Sequence, residues 1–161
     1  MKKIINCIDE YLEEIILVFL LAAMAVIMGI QVFCRYALSM SLTWSEELTR
    51  YLFIWAGFLS VSYCTKKCIS IKIEQFVALF PTRGKALFKV VNHTIELVLF
   101  LYLIPFAWKY FYSAIETGQV SPALGIPMYY VQAAPLAGFI LVAIRIIQRW
   151  IVEFNTVRGK E

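Results

Sequence analysis

The sequence is poor in charged residues. Only 16% of its 161 residues are Asp, Glu, Lys or Arg, whereas 61% are hydrophobic. Soluble domains carry about a quarter charged residues, so this is not the composition of a soluble domain. The mean hydropathy of +0.76 points the same way. The composition therefore indicates an integral membrane protein.

Motifs that carry enzymatic or transport chemistry are also missing. The chain has no Walker loop, no HExxH pair and no nucleophile elbow. It has no internal repeat and no matching pair of spans broken by Gly and Pro, a pattern typical of transporters with their own substrate site. Pro105 and Pro135 are single prolines in separate spans. We therefore expect no catalytic residue, no cofactor and no bound metal.

The hydrophobic residues fall into four blocks, each near the roughly 20 residues that a bilayer-crossing helix needs. Within lipid every backbone polar group must be paired inside the segment, so runs of this length are expected to be helices. We predict an all-α membrane protein, a single membrane domain over 1–161, with spans at about 15–35, 48–64, 86–108 and 128–150. The first block could be mistaken for a secretory signal peptide. It is longer than a signal-peptide core and is followed by Cys34-Arg35-Tyr36, which is not a cleavage site, so we expect it to be retained as a helix.

The distribution of basic residues predicts the orientation, since Lys and Arg concentrate in cytoplasmic segments. Only Arg35, Arg50 and Lys109 fall on the opposite side of the four predicted spans. The other twelve lie before span one, in the stretch between spans two and three, and around the end of span four: Lys2, Lys3, Lys66, Lys67, Lys72, Arg83, Lys85, Lys89, Arg145, Arg149, Arg158 and Lys160. Both termini are therefore predicted to be cytoplasmic.

A short amphipathic helix is predicted at about 72–80, between spans two and three. Apolar residues recur there at helical spacing and Pro81 ends the pattern. Such a helix suits the inner membrane interface, where lysines meet anionic headgroups. The residues assigned to this contact are Lys66, Lys67, Lys72, Phe76 and Phe80. The N-terminal stretch before span one is also partly amphipathic. Its polar face is acidic, which suits a protein contact or solvent, and consists of Asp9, Glu10, Glu13 and Glu14.

The segment that opens span two concentrates charge on the outer side. Glu46 and Arg50 are four residues apart with the acid first, the favourable order for an ion pair on a helix. Arg35 ends span one on the same side and could reach Glu46 or Glu47. We predict a structural ionic cluster that also contacts a partner, formed by Arg35, Trp44, Glu46, Glu47 and Arg50. The alternative is an ordinary helix start with interfacial charges.

Three polar residues, Asn92, His93 and Glu96, lie in span three. The apolar run that follows them ends near Trp108 and is too short to cross alone, which places Glu96 inside the membrane. Ionisable residues there are costly and face protein or water. We predict that Glu96 pairs with Arg145 of span four, with His93 and Asn92 in the same network. A proton relay or ion site at Glu96 is the alternative interpretation.

The four cysteines, Cys7, Cys34, Cys64 and Cys68, do not have the CxxC spacing of redox or zinc sites. Buried free thiols that pack as small hydrophobes are the expected state. A membrane thiol oxidoreductase would need paired thiols on the outer side, where only Cys34 is predicted. A further alternative is a small transporter that works alone as a homodimer through Glu96.

Four segments together resemble one known family. They read QVFCRY at 31–36, WSEELTRYLFIW at 44–55, TGQVSPALGIP at 117–127 and APLAG at 134–138. In order and spacing they are similar to the small membrane subunit of tripartite ATP-independent periplasmic (TRAP) transporters, of the DctQ and SiaQ type. Relatives often carry a His after span two where this chain has Ser70.

The resemblance implies a scaffold role in a bacterial inner-membrane transporter. A larger multi-span subunit would carry the substrate, a carboxylate such as a sialic acid or a C4-dicarboxylate, with an ion gradient, commonly sodium. A periplasmic binding protein would deliver that substrate. The small subunit would support the large one and offer an outer docking surface. The outer-loop residues assigned to that contact are Gly118, Ser121, Pro122 and Pro127.

Overall fold

The computed structural model describes the backbone of residues 2–67 and 82–157, and the side chains of residues 13–65 and 90–151. Within these ranges the chain is helical, as predicted, and forms no strand. The described residues form four helices: α1 Lys2–Ala37, α2 Thr43–Lys67, α3 Thr82–Thr117 and α4 Tyr129–Val157. The predicted interfacial helix at 72–80 lies outside the described residues, as do the side chains of Lys66 and Lys67.

Three of the four helices are long and apolar enough to cross a membrane. These stretches are Glu13–Ala37, Val90–Thr117 and Tyr129–Ile151. The helix α2 has 25 residues but does not reach the same hydropathy, so its crossing of the membrane stays a prediction. The helix α3 continues beyond Trp108, where the predicted span ends, to Thr117.

The four helices lie side by side in the order α1, α2, α4, α3. The helix α1 packs against α2, α2 packs against α4, and α4 packs against α3, and no other pair of these four described helices comes into backbone proximity. The arrangement is thus a layer and not a closed bundle. The residues with no exposed surface on α4, namely Ala134, Val142 and Ile146, mark it as the central helix.

The helices α2 and α4 approach each other closely at Gly138. A methyl group added there would lie 2.8 Å from Cβ of Phe58 and 3.0 Å from its carbonyl oxygen. The ring of Phe58 packs edge-on against Phe139, with 5.6 Å between the ring centroids. Because small residues let membrane helices approach closely, Gly138 sets the distance between the two helices.

Tight turns end α1 and α3. At the end of α1 the N–H groups of Leu38 and Met40 both donate to the carbonyl of Cys34, and Ser39 adopts a positive φ of 49°. Gly118, with φ of 57°, ends α3, as left-handed glycine commonly does at helix ends. Each turn reverses the chain and brings the next helix back antiparallel.

The loop between α3 and α4 is a compact hairpin. Val120 pairs with Pro127 as an antiparallel bridge, and Ser121 N–H donates to Ile126 O at 2.9 Å. Gly125 closes the tip with φ of 66°, and its N–H donates to Ser121 O. This segment therefore has a defined conformation of its own.

Candidate functional site

The helix α2 carries a stripe of five residues on one face, which contact the hairpin at one end, α4 in the middle and Glu13 of α1 at the other end. The positions increase by four, four, three and four, which keeps them on one helical face. They are Glu47, Tyr51, Trp55, Phe58 and Ser62. The two ends of this stripe form the polar groups described below, which we call the Glu47 clasp and the Glu13 junction.

The Glu47 clasp holds the outer hairpin against the start of α2. Oε2 of Glu47 accepts hydrogen bonds from the backbone N–H of Ala123 at 2.9 Å and of Leu124 at 3.2 Å. Oε1 accepts a hydrogen bond from the hydroxyl of Tyr51. Hydrogen bonds from Ser121 above all, and then from Tyr51, hold the pKa of Glu47 below its usual value of 4.5. The carboxylate is thus suited to remain charged while it binds the hairpin.

Two further contacts extend the clasp towards α4. The hydroxyl of Tyr51 lies 3.4 Å from the sulfur of Met128, and Nε1 of Trp55 donates to the carbonyl of Tyr130 at 3.2 Å. Tyr130 lies in the first turn of α4. The outer end of α2 is therefore joined to the hairpin and to α4 by side chains one helical turn apart.

The Glu13 junction joins three helices near the other end of the layer. Arg145 Nε on α4 donates to Glu13 Oε1 on α1 at 2.8 Å, and the hydroxyl of Ser62 on α2 donates to the same oxygen at 3.2 Å. The side chain of Glu13 is 4% exposed and that of Arg145 is 11% exposed. Arg145 also donates from Nη1 to Gln148 at 2.9 Å. A buried ion pair therefore joins α1 to α4, although the backbones of these two helices do not pack together and α2 lies between them.

This junction corrects the predicted pairing of Glu96 with Arg145. The carboxylate of Glu96 instead bonds to Asn92 Nδ2 at 2.8 Å and to His93 Nδ1 at 3.2 Å, both on its own helix. Arg145 binds Glu13 of α1, beside Ser62 of α2. The prediction that Asn92, His93 and Glu96 form one polar group agrees with these contacts, but Arg145 does not belong to it.

The depth predicted for Glu96 depended on a span that ends near Trp108, whereas α3 continues to Thr117. Nε1 of Trp150 donates to the hydroxyl of Thr94 at 3.2 Å, so this part of α3 lies level with the last turns of the apolar stretch of α4. The side chain of Glu96 is about one third exposed. Its position fits the end of a span better than the middle.

The predicted ionic cluster at the start of α2 is not formed among the described residues. Glu46 accepts a hydrogen bond from Nε2 of Gln31 at 2.8 Å, and Glu47 serves the clasp. Arg35 and Arg50 are exposed and make no salt bridge within the described ranges. Gln31, one turn before Arg35, faces α2 and takes the contact that was predicted for the arginine. Trp44 is exposed on the same segment.

The four predicted outer-loop residues lie in the hairpin but have different roles. Ser121 is buried, with 2% of its surface exposed. Gly118 ends α3 with a positive φ, and Pro127 forms the bridge with Val120 that closes the hairpin. Pro122 is exposed at the tip. Sequence reasoning missed Glu13, Gln31 and Ser62 as contacts. Ser62 had no distinct signal in the sequence, because α2 carries other polar residues such as Ser60 and Thr65. The acidic face before span one was the signal for Glu13.

The described residues offer no group of His, Cys, Asp and Glu side chains that could hold a metal ion. Cys34 and Cys64, the two cysteines with described side chains, are free thiols on different helices, but neither is buried as predicted: Cys34 is partly exposed and Cys64 is exposed. Fold and polar groups define a class: a multi-pass helical membrane protein whose buried polar side chains tie its own helices together.

The chain belongs to the DctQ component family of the tripartite ATP-independent periplasmic transporters, whose family model matches residues 24–156. The resemblance inferred from the four motifs is thereby confirmed. The family is a transporter component and not a class of enzymes. Together with its apolar helices, it makes the chain a multi-pass protein of the bacterial inner membrane.

Three relatives illustrate the range of similarity. The putative TRAP transporter small permease protein of Haemophilus influenzae is 26% identical, over 99% of this chain and 98% of the relative. The ectoine TRAP transporter small permease protein TeaB of Halomonas elongata is 28% identical, over 88% of this chain and 73% of the relative. The sialic acid TRAP transporter permease protein SiaT of Haemophilus influenzae strain 86-028NP is 27% identical, over 96% of this chain but 24% of the relative.

Proposed function

We propose that this chain is the scaffold subunit of a TRAP transporter and supports a large permease subunit that carries the substrate. The observation behind this proposal is the layer itself. A row of four helices has two broad faces, and its polar side chains bind neighbouring helices of the same chain. Such a layer suits lateral packing against a second membrane protein, which relies on close fit and hydrogen bonds.

The partner in this proposal follows from the alignment with SiaT. Nearly all of this chain matches about a quarter of that longer permease protein. In that relative, a segment like this chain is continuous with a much larger remainder. We propose that a separate large permease subunit takes the place of that remainder here.

The substrate is proposed only as a class, a small organic acid taken up with an ion gradient, commonly sodium. The names of two relatives specify ectoine and sialic acid, although both are similarly distant from this chain. A scaffold that does not touch the substrate would not need to change with it. A periplasmic binding protein that delivers the substrate to the outer hairpin belongs to the same proposal.

We further propose that α2 crosses the membrane and that both termini are cytoplasmic. Glu46 contacts Gln31 and Ser62 contacts Glu13, so α2 runs antiparallel along most of the apolar stretch of α1. The two contacts are sixteen residues apart on α2, about 24 Å at 1.5 Å per residue. This is close to the roughly 30 Å thickness of the hydrocarbon core.

The scaffold proposal can be tested by purification from native membranes. An affinity-tagged chain should bring down one large permease subunit in fixed ratio in mild detergent. Proteoliposomes should take up substrate with its binding protein only when both membrane subunits are present. Transport by this chain alone, lost in Glu96→Gln, would instead establish the self-sufficient homodimer.

Reporter fusions test the orientation separately. A reporter that is active only in the periplasm should be inactive at either terminus and active when inserted after Gly118. Activity at the N-terminus or the C-terminus would refute the predicted topology without affecting the scaffold proposal.

A further inference from the structure

An open groove runs between α1 and α2 on one face of the layer. It encloses about 470 Å³ and is lined by apolar side chains of both helices, including Leu21 and Met24 of α1 and Phe53 of α2. Its floor on α2 consists of the small residues Ala56, Gly57 and Ser60. The groove lies between the levels of the Glu13 junction and the Gln31–Glu46 contact, and therefore near the middle of the proposed membrane thickness.

Gly57 has no neighbour among the described residues that requires a glycine. A methyl group added there would meet nothing within 4 Å, whereas one added at Gly138 would collide with Phe58. A glycine within a helix costs about 1 kcal/mol relative to alanine. Gly138 has a clear packing reason for this cost, and Gly57 would gain one if another helix approached the floor of the groove.

Two exposed arginines lie on the same face. Arg50 precedes Phe53 by three residues and Gly57 by seven, which places it on the groove side of α2. Arg35 follows Leu21 by fourteen residues, two heptads, which places it on the groove side of α1. Neither forms a salt bridge within the described ranges. The groove thus has an apolar centre and a basic outer margin.

From these observations we infer that this groove seats a transmembrane helix of the large permease subunit, with an acidic side chain of that subunit near Arg35 or Arg50. The inference rests on the proposed scaffold function. Small floor residues allow a helix backbone to come close, which is how membrane helices associate. The alignment of this chain with a quarter of a single longer permease supplies a partner of the right kind. Because the outer margin is basic, we expect an acidic side chain at the matching position of the partner.

The first test fills the groove with a large side chain. Gly57→Trp is compared with Val26→Trp in the tagged chain, co-expressed with the large subunit. Val26 is also exposed, at 61%, but lies two residues from Met24, on the side of α1 that faces away from the groove. Gly57→Trp should lower the amount of co-purified large subunit by at least about tenfold, and Val26→Trp should leave it unchanged.

The outcomes separate this inference from the scaffold proposal. Retention of the large subunit by Gly57→Trp, or equal loss in both variants, would overturn the groove as the contact. Loss of bound phospholipid alone would make it a lipid site and would equally overturn the inference. Failure of the wild-type chain to bind any large subunit would instead refute the scaffold proposal.

A labelling experiment covers the case in which Gly57→Trp does not fold. In a chain without its native cysteines, a cysteine is introduced by Gly57→Cys or, as a control, by Val26→Cys. Each cysteine is coupled to a nitroxide spin label before the large subunit is added, because a thiol in apolar surroundings reacts too slowly for its labelling rate to report a partner. The label at position 57 should lose mobility when the large subunit binds, and the label at position 26 should not. Equal mobility of the label at position 57 with and without the large subunit would contradict the inference.

The charged margin is tested by reversal. Arg50→Glu and Arg35→Glu should each weaken the complex more than the corresponding Gln variants. Lys109→Glu, at the third basic residue of this side but on α3, should have no effect. Equal effects of the three reversals would show that only the net charge of the outer side matters. The proposed acidic side chain near Arg35 or Arg50 would then be refuted.

Discussion

Arg145 on α4 donates a hydrogen bond from Nε to Glu13 on α1 at 2.8 Å, across 132 positions of the chain. The two helix backbones do not pack together, and Ser62 of the intervening α2 donates to the same carboxylate oxygen. The guanidinium group in the apolar stretch of α4 therefore pairs with a carboxylate at the start of the apolar stretch of α1. One carboxylate oxygen holds three helices in register.

We expect Glu13→Gln and Arg145→Gln each to destabilise the chain by about 3–5 kcal/mol, because each breaks the same buried ion pair. The double variant should be less destabilised than the sum of the two, since it removes both charges. Unfolding in detergent, followed by circular dichroism, measures the coupling free energy. A sum that is strictly additive would mean that the ion pair contributes nothing.

Glu96→Gln is the matched control for this cycle. Glu96 bonds to Asn92 and His93 on its own helix, and so its effect should add independently to that of Arg145→Gln. A coupling between these two substitutions as large as that between Glu13→Gln and Arg145→Gln would restore the pairing predicted from the sequence.

The Glu47 clasp should fix the outer hairpin. Glu47→Gln removes the charge that accepts the N–H groups of Ala123 and Leu124. We expect these two amides to exchange with deuterium faster in the variant. Glu46→Gln is the control, because the neighbouring carboxylate bonds to Gln31 on α1 and does not bond to the hairpin. Equal exchange at both amides in wild type and Glu47→Gln would show that the hairpin holds its conformation without the clasp.

The pH dependence of the clasp follows from the lowered pKa of Glu47. A carboxyl group with a lower pKa in the folded state stabilises that state above its usual pKa, and the contribution is lost as the pH falls through the lowered value. The hairpin amides should therefore keep their protection from neutral pH down to the usual pKa of 4.5 and lose it only in more acidic solution. The carboxyl carbon resonance of Glu47 should titrate below the usual value for Glu. Titration at or above that value would show that the hydrogen bonds from Ser121 and Tyr51 do not stabilise the charged form.

The sequence predicted the elements better than their contacts. Hydrophobic run length predicts where a membrane helix lies, which is why the four described helices could be recognised, three of them long and apolar enough to cross a membrane. Contacts depend on the direction in which each side chain points. Successive residues of a helix point about 100° apart, so the direction of a polar side chain predicts its partner only when the neighbouring helices are known. Arg145 faces α2 and α1, for example, while Glu96 bonds along α3. The side-by-side order of the helices, with α4 between α2 and α3, had no sequence signal of its own.

Gly138→Ala should destabilise the chain, because the added methyl group would lie 2.8 Å from Cβ of Phe58 and 3.0 Å from its backbone oxygen. The neighbouring atoms are not the mobile end of a side chain, and so the helices must move apart. Overpacking of this kind costs about 1–3 kcal/mol. A lower unfolding temperature in detergent would measure it.

Gly57→Ala provides the comparison for this substitution. Its methyl group meets nothing within 4 Å, so the isolated chain should gain up to about 1 kcal/mol from the better helix propensity of alanine. An equal loss of stability in both alanine variants would show that the contact between Gly138 and Phe58 is not what limits the substitution.

Ser39→Gly should stabilise the chain. Ser39 has a φ of 49° at the turn that ends α1, a left-handed conformation that costs a residue with a Cβ roughly 1–2 kcal/mol and costs glycine almost nothing. Ser41→Gly is the control in the same connection, because Ser41 does not have a positive φ. Glycine there increases the freedom of the unfolded chain without relieving any strain, and should be neutral or destabilising. A higher unfolding temperature for Ser39→Gly alone is the expected result, and an equal shift in both variants would mean that the turn stores no strain at Ser39.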